Sequence, residues 1–156
     1  MSTIERSIDV DVPVRTAYDQ WTQFEEFPRF MEHVERIEQV DDTHVRWHVE
    51  VAGADRTFDT VITEQDPDQR IAWTTLPDAE SKHAGVVTFH RIDEGRTRVM
   101  LQMDMEPTGA LEKVGDLFGF TDRSVQKDLE SFKGFIEERV IETGAWRGEV
   151  DQDPTR

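Results

Sequence analysis

The 156-residue chain contains no cysteine. That excludes disulfides, Cys-ligated metals and thiol nucleophiles together. Asparagine is absent too, lysine occurs only at Lys82, Lys113, Lys127 and Lys133, and Tyr18 is the single tyrosine. No apolar run approaches the ~20 residues of a membrane span. The first residues, MSTIERSIDV, lack the apolar stretch of a secretion signal. A cytoplasmic protein with no integral membrane segment is expected. Positive charge is scarce: 18 basic residues face 34 acidic ones, for a net charge of −16. Such a surface repels phosphate backbones, so no nucleic acid partner is expected. Self-repulsion opposes the compact state, so the melting temperature should rise from dilute buffer to molar salt.

What is present is periodicity. Ser7 to Val12 alternates polar and apolar residues, as a half-buried strand does. Pro13 ends it and suits a helix start. Val14, Ala17, Tyr18, Trp21 and Phe24 then recur at spacings of three and four, predicting an amphipathic helix. Phe27-Pro28 should break it, with Phe30, Met31 and Val34 forming a second short helical stretch. Strand patterns follow over 34–40, 44–51, 57–64, 70–75, 85–91 and 97–105. Val45, Trp47, Val49 and Val51 share one face. Phe58, Thr60, Ile62 and Glu64 share another, as do Val99, Leu101, Met103 and Met105. Short turns between consecutive strands predict an antiparallel meander. From Leu111 to about Thr143 the period becomes helical, through Phe118, Val125, Leu129, Phe132 and Ile136.

The reading is α+β: two short helices after the first strand, a curved six- to seven-stranded antiparallel sheet, and a long C-terminal helix held by it. Residues 1–145 form the expected single domain, and 146–156 a flexible acidic tail. A chain of this length buries roughly 70% of its unfolded surface, so its core needs no staples. A straight helix cannot meet a curved sheet everywhere, and the gap left is a pocket.

The order of elements carries a resemblance. So do Val12-Pro13, Phe27-Pro28-Arg29-Phe30-Met31, Arg70-Ile71-Ala72-Trp73, Gly85-Val86-Val87-Thr88-Phe89 and Thr97-Arg98-Val99. Residues 3 to 143 resemble the polyketide cyclase/dehydrase branch of the START-like, helix-grip superfamily, and are similar also to coenzyme Q-binding members. The resemblance implies a sheet gripping the last helix and a cavity for a polyketide, quinone or lipid. The aromatase/cyclases of that family place an arginine at about the position of Glu64 and a pocket tyrosine at about Val34. Neither is present here, which sets binding of an apolar ligand ahead of ring-closing catalysis, the alternative function.

The candidate ligand-binding residues are Phe27, Met31, Trp47, Phe58, Thr60, Trp73, Phe89, Met103, Phe118 and Phe132. Glu64 is the candidate catalytic group. Alternation aims it at the helix, where an apolar setting raises a carboxyl pKa. No metal is expected: His44 and His48 lie about 13 Å apart along a strand at ~3.3 Å per residue. No cofactor is expected either, since neither a G-x-G-x-x-G turn nor a Gly-Lys-Ser/Thr loop occurs. The expected partner is an apolar small molecule, and the expected assembly a monomer or homodimer.

Overall fold

The computed structural model describes residues 2–51, 53–77, 82–106 and 122–151. The strands are β1 (Ser2–Val10), β2 (Val34–Gln39), β3 (His44–Val51), β4 (Ala54–Asp66), β5 (Arg70–Thr75), β6 (Lys82–Asp93), β7 (Arg96–Glu106) and the two-residue β8 (Val150–Asp151). Helix α1 spans Val14–Trp21, a 3-10 helix spans Phe24–Arg29, and α2 spans Asp122–Arg139. Strands β1 to β7 form one antiparallel sheet in the order β1-β7-β6-β5-β4-β3-β2, and β8 adds to β4. Every link from β2 through β7 is a sequence neighbour, as the short turns require. This is the α+β helix-grip arrangement, a curled seven-stranded half-barrel with a C-terminal helix.

Period-two burial sets the inner face. His83, Gly85, Val87 and Phe89 of β6 are buried, as are Thr97, Val99, Leu101 and Met103 of β7, while the residues between them are more open. On α2 the buried positions Val125, Leu129, Phe132 and Ile136 follow helical spacing and close the core against this face. Two aromatic segments link the sheet's edges. Tyr18 and Trp21 of α1 are buried, and so are Phe24 and Phe27 of the 3-10 helix. Pro28 lies inside that 3-10 helix rather than ending a helix before it, and Val34 opens β2 instead of closing a second helical stretch. The expected helix start at Leu111 and Phe118 lie outside the described residues.

Residues 143–151 run back along α1 as far as β8, so the described part of the expected tail is held in place. Gln20 and Thr143 exchange hydrogen bonds, Nε2 to Oγ1 at 3.0 Å and backbone N–H to Oε1 at 2.9 Å. The Trp146 N–H donates to Thr22 Oγ1 at 3.0 Å. Arg147 pairs with buried Asp19 and, at 2.9 Å, with Asp68. Gly144 packs closely on Gln23: a Cβ there would sit 2.6 Å from Gln23 Oε1, so a larger residue would displace that side chain. Polar side chains on α1 thus hold a polar segment that has no apolar pattern of its own.

Candidate functional site

A cavity lies between the N-terminal half of α2 and the inner face of β3 to β7. Trp21, Phe24, Phe27 and Met31 border it on one side, and Trp47, Ile62, Trp73, Leu101 and Met103 on the sheet side. Val125, Asp128 and Leu129 close it from α2. Its free volume is about 40 Å³, room for roughly three waters. Edge-to-face contacts join its aromatic wall: Trp21 to Phe27 at 5.2 Å, and Phe24 to Phe27 at 5.4 Å between ring centroids. Trp73 owes its place to Gly85, its cross-strand partner. A Cβ on Gly85 would collide with the Trp73 indole, so only glycine leaves the ring its seat.

Of the residues singled out from the sequence, Phe27, Met31, Trp47, Thr60, Trp73 and Met103 border this cavity. Three others pack beside it. Phe58 stacks on Trp47 with centroids 5.7 Å apart, Phe89 meets Tyr18 edge-on at 5.3 Å, and Phe132 lies against Trp21 and Phe30. The Thr60 hydroxyl is engaged: it accepts from Trp47 Nε1 at 3.0 Å and donates to the Val45 carbonyl at 3.5 Å.

Glu64 is not at the cavity, which corrects the sequence reading. The β4–β5 register shifts between Ile62 and Glu64, so Thr63 is an extra residue in β4. One inserted residue reverses the faces of all that follow. Gln65, 2% exposed, therefore takes the inward place, and Glu64 pairs with Arg70 at 3.2 Å on the outer side.

The carboxylate that does reach the cavity is Asp128. The Glu32 backbone N–H donates to its Oδ1 at 3.2 Å. Burial pushes its pKa up to about 6, with that hydrogen bond and the charges of His33 and Lys127 partly offsetting the rise. Asp128 lies three residues after Val125 and one before Leu129, so the helical stripe already contained it. A search for apolar stripes passes over a lone acid within one.

Two buried titratable groups lie outside the cavity. His83 is held neutral, its pKa driven down to about 3 by burial, and Trp73 Nε1 donates to its Nε2 at 3.3 Å. Burial raises the Tyr18 hydroxyl to about 12, despite the Gln65 amide and the Arg147 guanidinium, which stands over its ring. As for metals, Glu35, Glu50 and Asp55 bring carboxylates together within 4.8 Å, all on exposed residues. Hydrogen bonding with Asp55 raises Glu35 above its ordinary range. No described helix is long and apolar enough to cross a membrane.

A curled antiparallel sheet around a C-terminal helix, with an aromatic cavity at their seam, defines a helix-grip protein. The profile of the family "Polyketide cyclase / dehydrase and lipid transport" matches residues 10–133, and the chain belongs to that family. It is 59% identical over 150 residues to an uncharacterized 17.2 kDa protein of Streptomyces lincolnensis, covering 96% of this chain and 99% of that one. Among solved structures it is similar to the Zhui aromatase/cyclase of Streptomyces sp. R1128, with a TM-score of 0.77 and 22% identity over 93% of this chain and 99% of that one. A START superfamily protein of Mycobacterium smegmatis matches with a TM-score of 0.68 and 15% identity over 88% and 96% of the two chains. Similarity at these identities speaks for the fold.

Proposed function

We propose that the protein binds an apolar small molecule, of polyketide, quinone or lipid type, in the cavity between sheet and α2. The observation that carries this reading is the wall itself. Large aromatic and sulfur-containing side chains surround a space that close packing would normally fill. A void costs stability, so a core with several rings around one is suited to a guest. Binding would come from area, at about 25 cal/mol per Å² of apolar surface removed from water. A drug-sized ligand needs roughly 300 Å³ or more, so the 40 Å³ found without one must widen. Met31 and Met103 suit that, because methionine changes rotamer readily. Trp73, only half-buried, is the third side chain placed to move.

Turnover in the same cavity is the second reading, and Asp128 is the observation that favours it. A carboxyl with a pKa near 6 is poised to take a proton at neutral pH. Ring closure also needs a donor for the developing enolate oxygen. Among the described residues bordering the cavity there is no arginine, lysine, tyrosine or histidine; Trp47 Nε1 is committed to Thr60 and Trp73 Nε1 to His83, which leaves the neutral indole N–H of Trp21 as the one unpartnered donor, a weak substitute for a cationic or phenolic group. Binding is therefore the stronger reading.

Native mass spectrometry of gently purified protein tests it, with a co-purified apolar molecule as the expected result. The protein is then incubated with a poly-β-ketone thioester mimic. Product at the protein-free rate is expected. Faster cyclisation that Asp128→Asn abolishes would replace the binding reading with the enzymatic one.

A further inference from the structure

Resting on the binding reading above, we propose that Asp128 is the ligand's polar anchor. The cavity would then take a neutral, ring-bearing molecule with one O–H or N–H donor, and reject the same body carrying a carboxylate.

The argument starts from the lining. Asp128 is the single charged side chain among the described residues that border the cavity, and Thr60, the other polar one, has its hydroxyl proton engaged. The Asp128 carboxyl is fixed in place. Its Oδ1 takes the Glu32 backbone N–H, which ties α2 to the loop before β2. The same loop is held a second time by Lys127, whose Nζ lies 3.0 Å from Glu32 Oε2 and which is thereby turned away from the cavity. The charged or titratable groups acting on Asp128 are Glu32 and His33 from the loop and Lys127 from its own helix. No described residue donates to its second oxygen. Asp128 is half-buried, so this spare acceptor position lies where apolar walls meet water and is open to a donor. A ligand hydroxyl or amine proton satisfies it with a charge-assisted hydrogen bond. A ligand carboxylate would instead bring a second negative charge into the same low-dielectric space. Trp21, Phe24, Phe27, Trp47 and Trp73 favour a ring system for the rest of the molecule.

The test uses three probes of one shape: naphthalene, 2-naphthol and 2-naphthoate. Each is titrated by tryptophan fluorescence at about 0.5 M salt, which screens the overall negative charge, and at about pH 8, where Asp128 is ionised. Wild type should bind 2-naphthol about tenfold or more tighter than 2-naphthoate. In Asp128→Leu the two should fall within about threefold of each other while naphthalene still binds. In Asp128→Asn the rejection of 2-naphthoate should be relieved with 2-naphthol retained. Lowering wild type to about pH 5 should narrow the preference in the same direction, since Asp128 is then largely protonated. Equal affinity for the two polar probes in wild type would overturn the anchor and leave the binding reading standing, provided naphthalene binds. A preference that survives both substitutions overturns it as well. If none of the three binds, the binding reading falls and the anchor with it. Should Asp128→Leu not fold, Asp128→Asn and the wild-type pH series decide the matter.

Discussion

The two halves of α2 sit in different surroundings. From Val125 to Leu129 the helix borders the cavity and presents a carboxylate to it. From Phe132 to Ile136 it is sealed: both side chains are fully buried, and Phe132 touches Trp21 at 5.3 Å and Phe30 at 5.2 Å. The sealed half neighbours α1, over which the returning chain end is fastened through Gln20, Thr22 and Asp19. One helix is thus anchored at its C-terminal half and left with imperfect packing at the other. The proposed binding would gain from this division, with the packed half holding the fold and the half beside the void adjusting to a guest.

The largest effect expected from this contrast is at Phe132. Phe132→Ala should lower unfolding free energy by about 3–5 kcal/mol, since it empties a filled site. Met103 is equally shielded from solvent but borders the existing void. Met103→Ala should cost only about 2 kcal/mol, the low end for such a truncation, and should change probe affinity more than Phe132→Ala does. Urea denaturation of both variants checks this, and equal costs would break the contrast.

Next in size is the fastening of the chain end. Asp19 is 1% exposed, and Arg147 is its nearest cation, with Arg15 at 3.6 Å. Arg147→Met leaves a buried carboxylate without its main partner, and should cost about 2–3 kcal/mol. Adding Asp19→Asn should recover part of that loss. A full loss in the double variant would show that the guanidinium matters through its position over Tyr18 instead.

Smaller still is a pair of opposing pH effects. His83 has its pKa depressed to about 3, so the stability it contributes is complete above its unfolded value of about 6.5 and lost as pH falls. Asp128 has its pKa raised to about 6, so the native state holds more protons there and stability falls as pH rises from about 4 through 6. Between about pH 4 and 6 the two oppose each other. Each slope is at most about 1.4 kcal/mol per pH unit. Asp128→Asn should therefore steepen the acid loss seen in urea midpoints, and His83→Gln should make moderate acidification stabilising. A profile unmoved by either substitution would contradict both assignments.

The sheet was largely legible because a strand with one buried face must alternate, and residues 44–51, 70–75 and 97–105 do so cleanly. The sheet side of the cavity, Trp47, Trp73 and Met103, followed from the same alternation. Glu64 was misplaced because a bulge leaves no mark in a polar–apolar pattern: Thr63-Glu64-Gln65 is polar at all three positions, so neither register is favoured. Asp128 was missed because burial of an acid depends on what the loop at Glu32 offers, a tertiary fact. Residues 146–151 were read as loose since their attachment uses hydrogen bonds and the two ion pairs of Arg147, which require geometry that composition does not encode.

The smallest expected effect lies at the very end of the packed half of α2. Val140 has φ of +66°, a left-handed conformation that is uncommon for any L-residue and disfavoured further by β-branching. Its N–H still bonds to the Ile136 carbonyl at 2.8 Å, so the conformation is what closes the helix. The side chain, 68% exposed, returns little by burial. Glycine adopts this conformation without strain. Against that gain stands the greater freedom glycine gives the unfolded chain, which offsets part of it. Val140→Gly should then stabilise by about 0.5–1 kcal/mol, read as a higher urea midpoint with an unchanged slope. Because the change lies at the packed end, affinity for naphthalene-type probes should stay as it is. A shift in that affinity would mean that the two halves of α2 are mechanically coupled, and that tightening one end reshapes the cavity at the other.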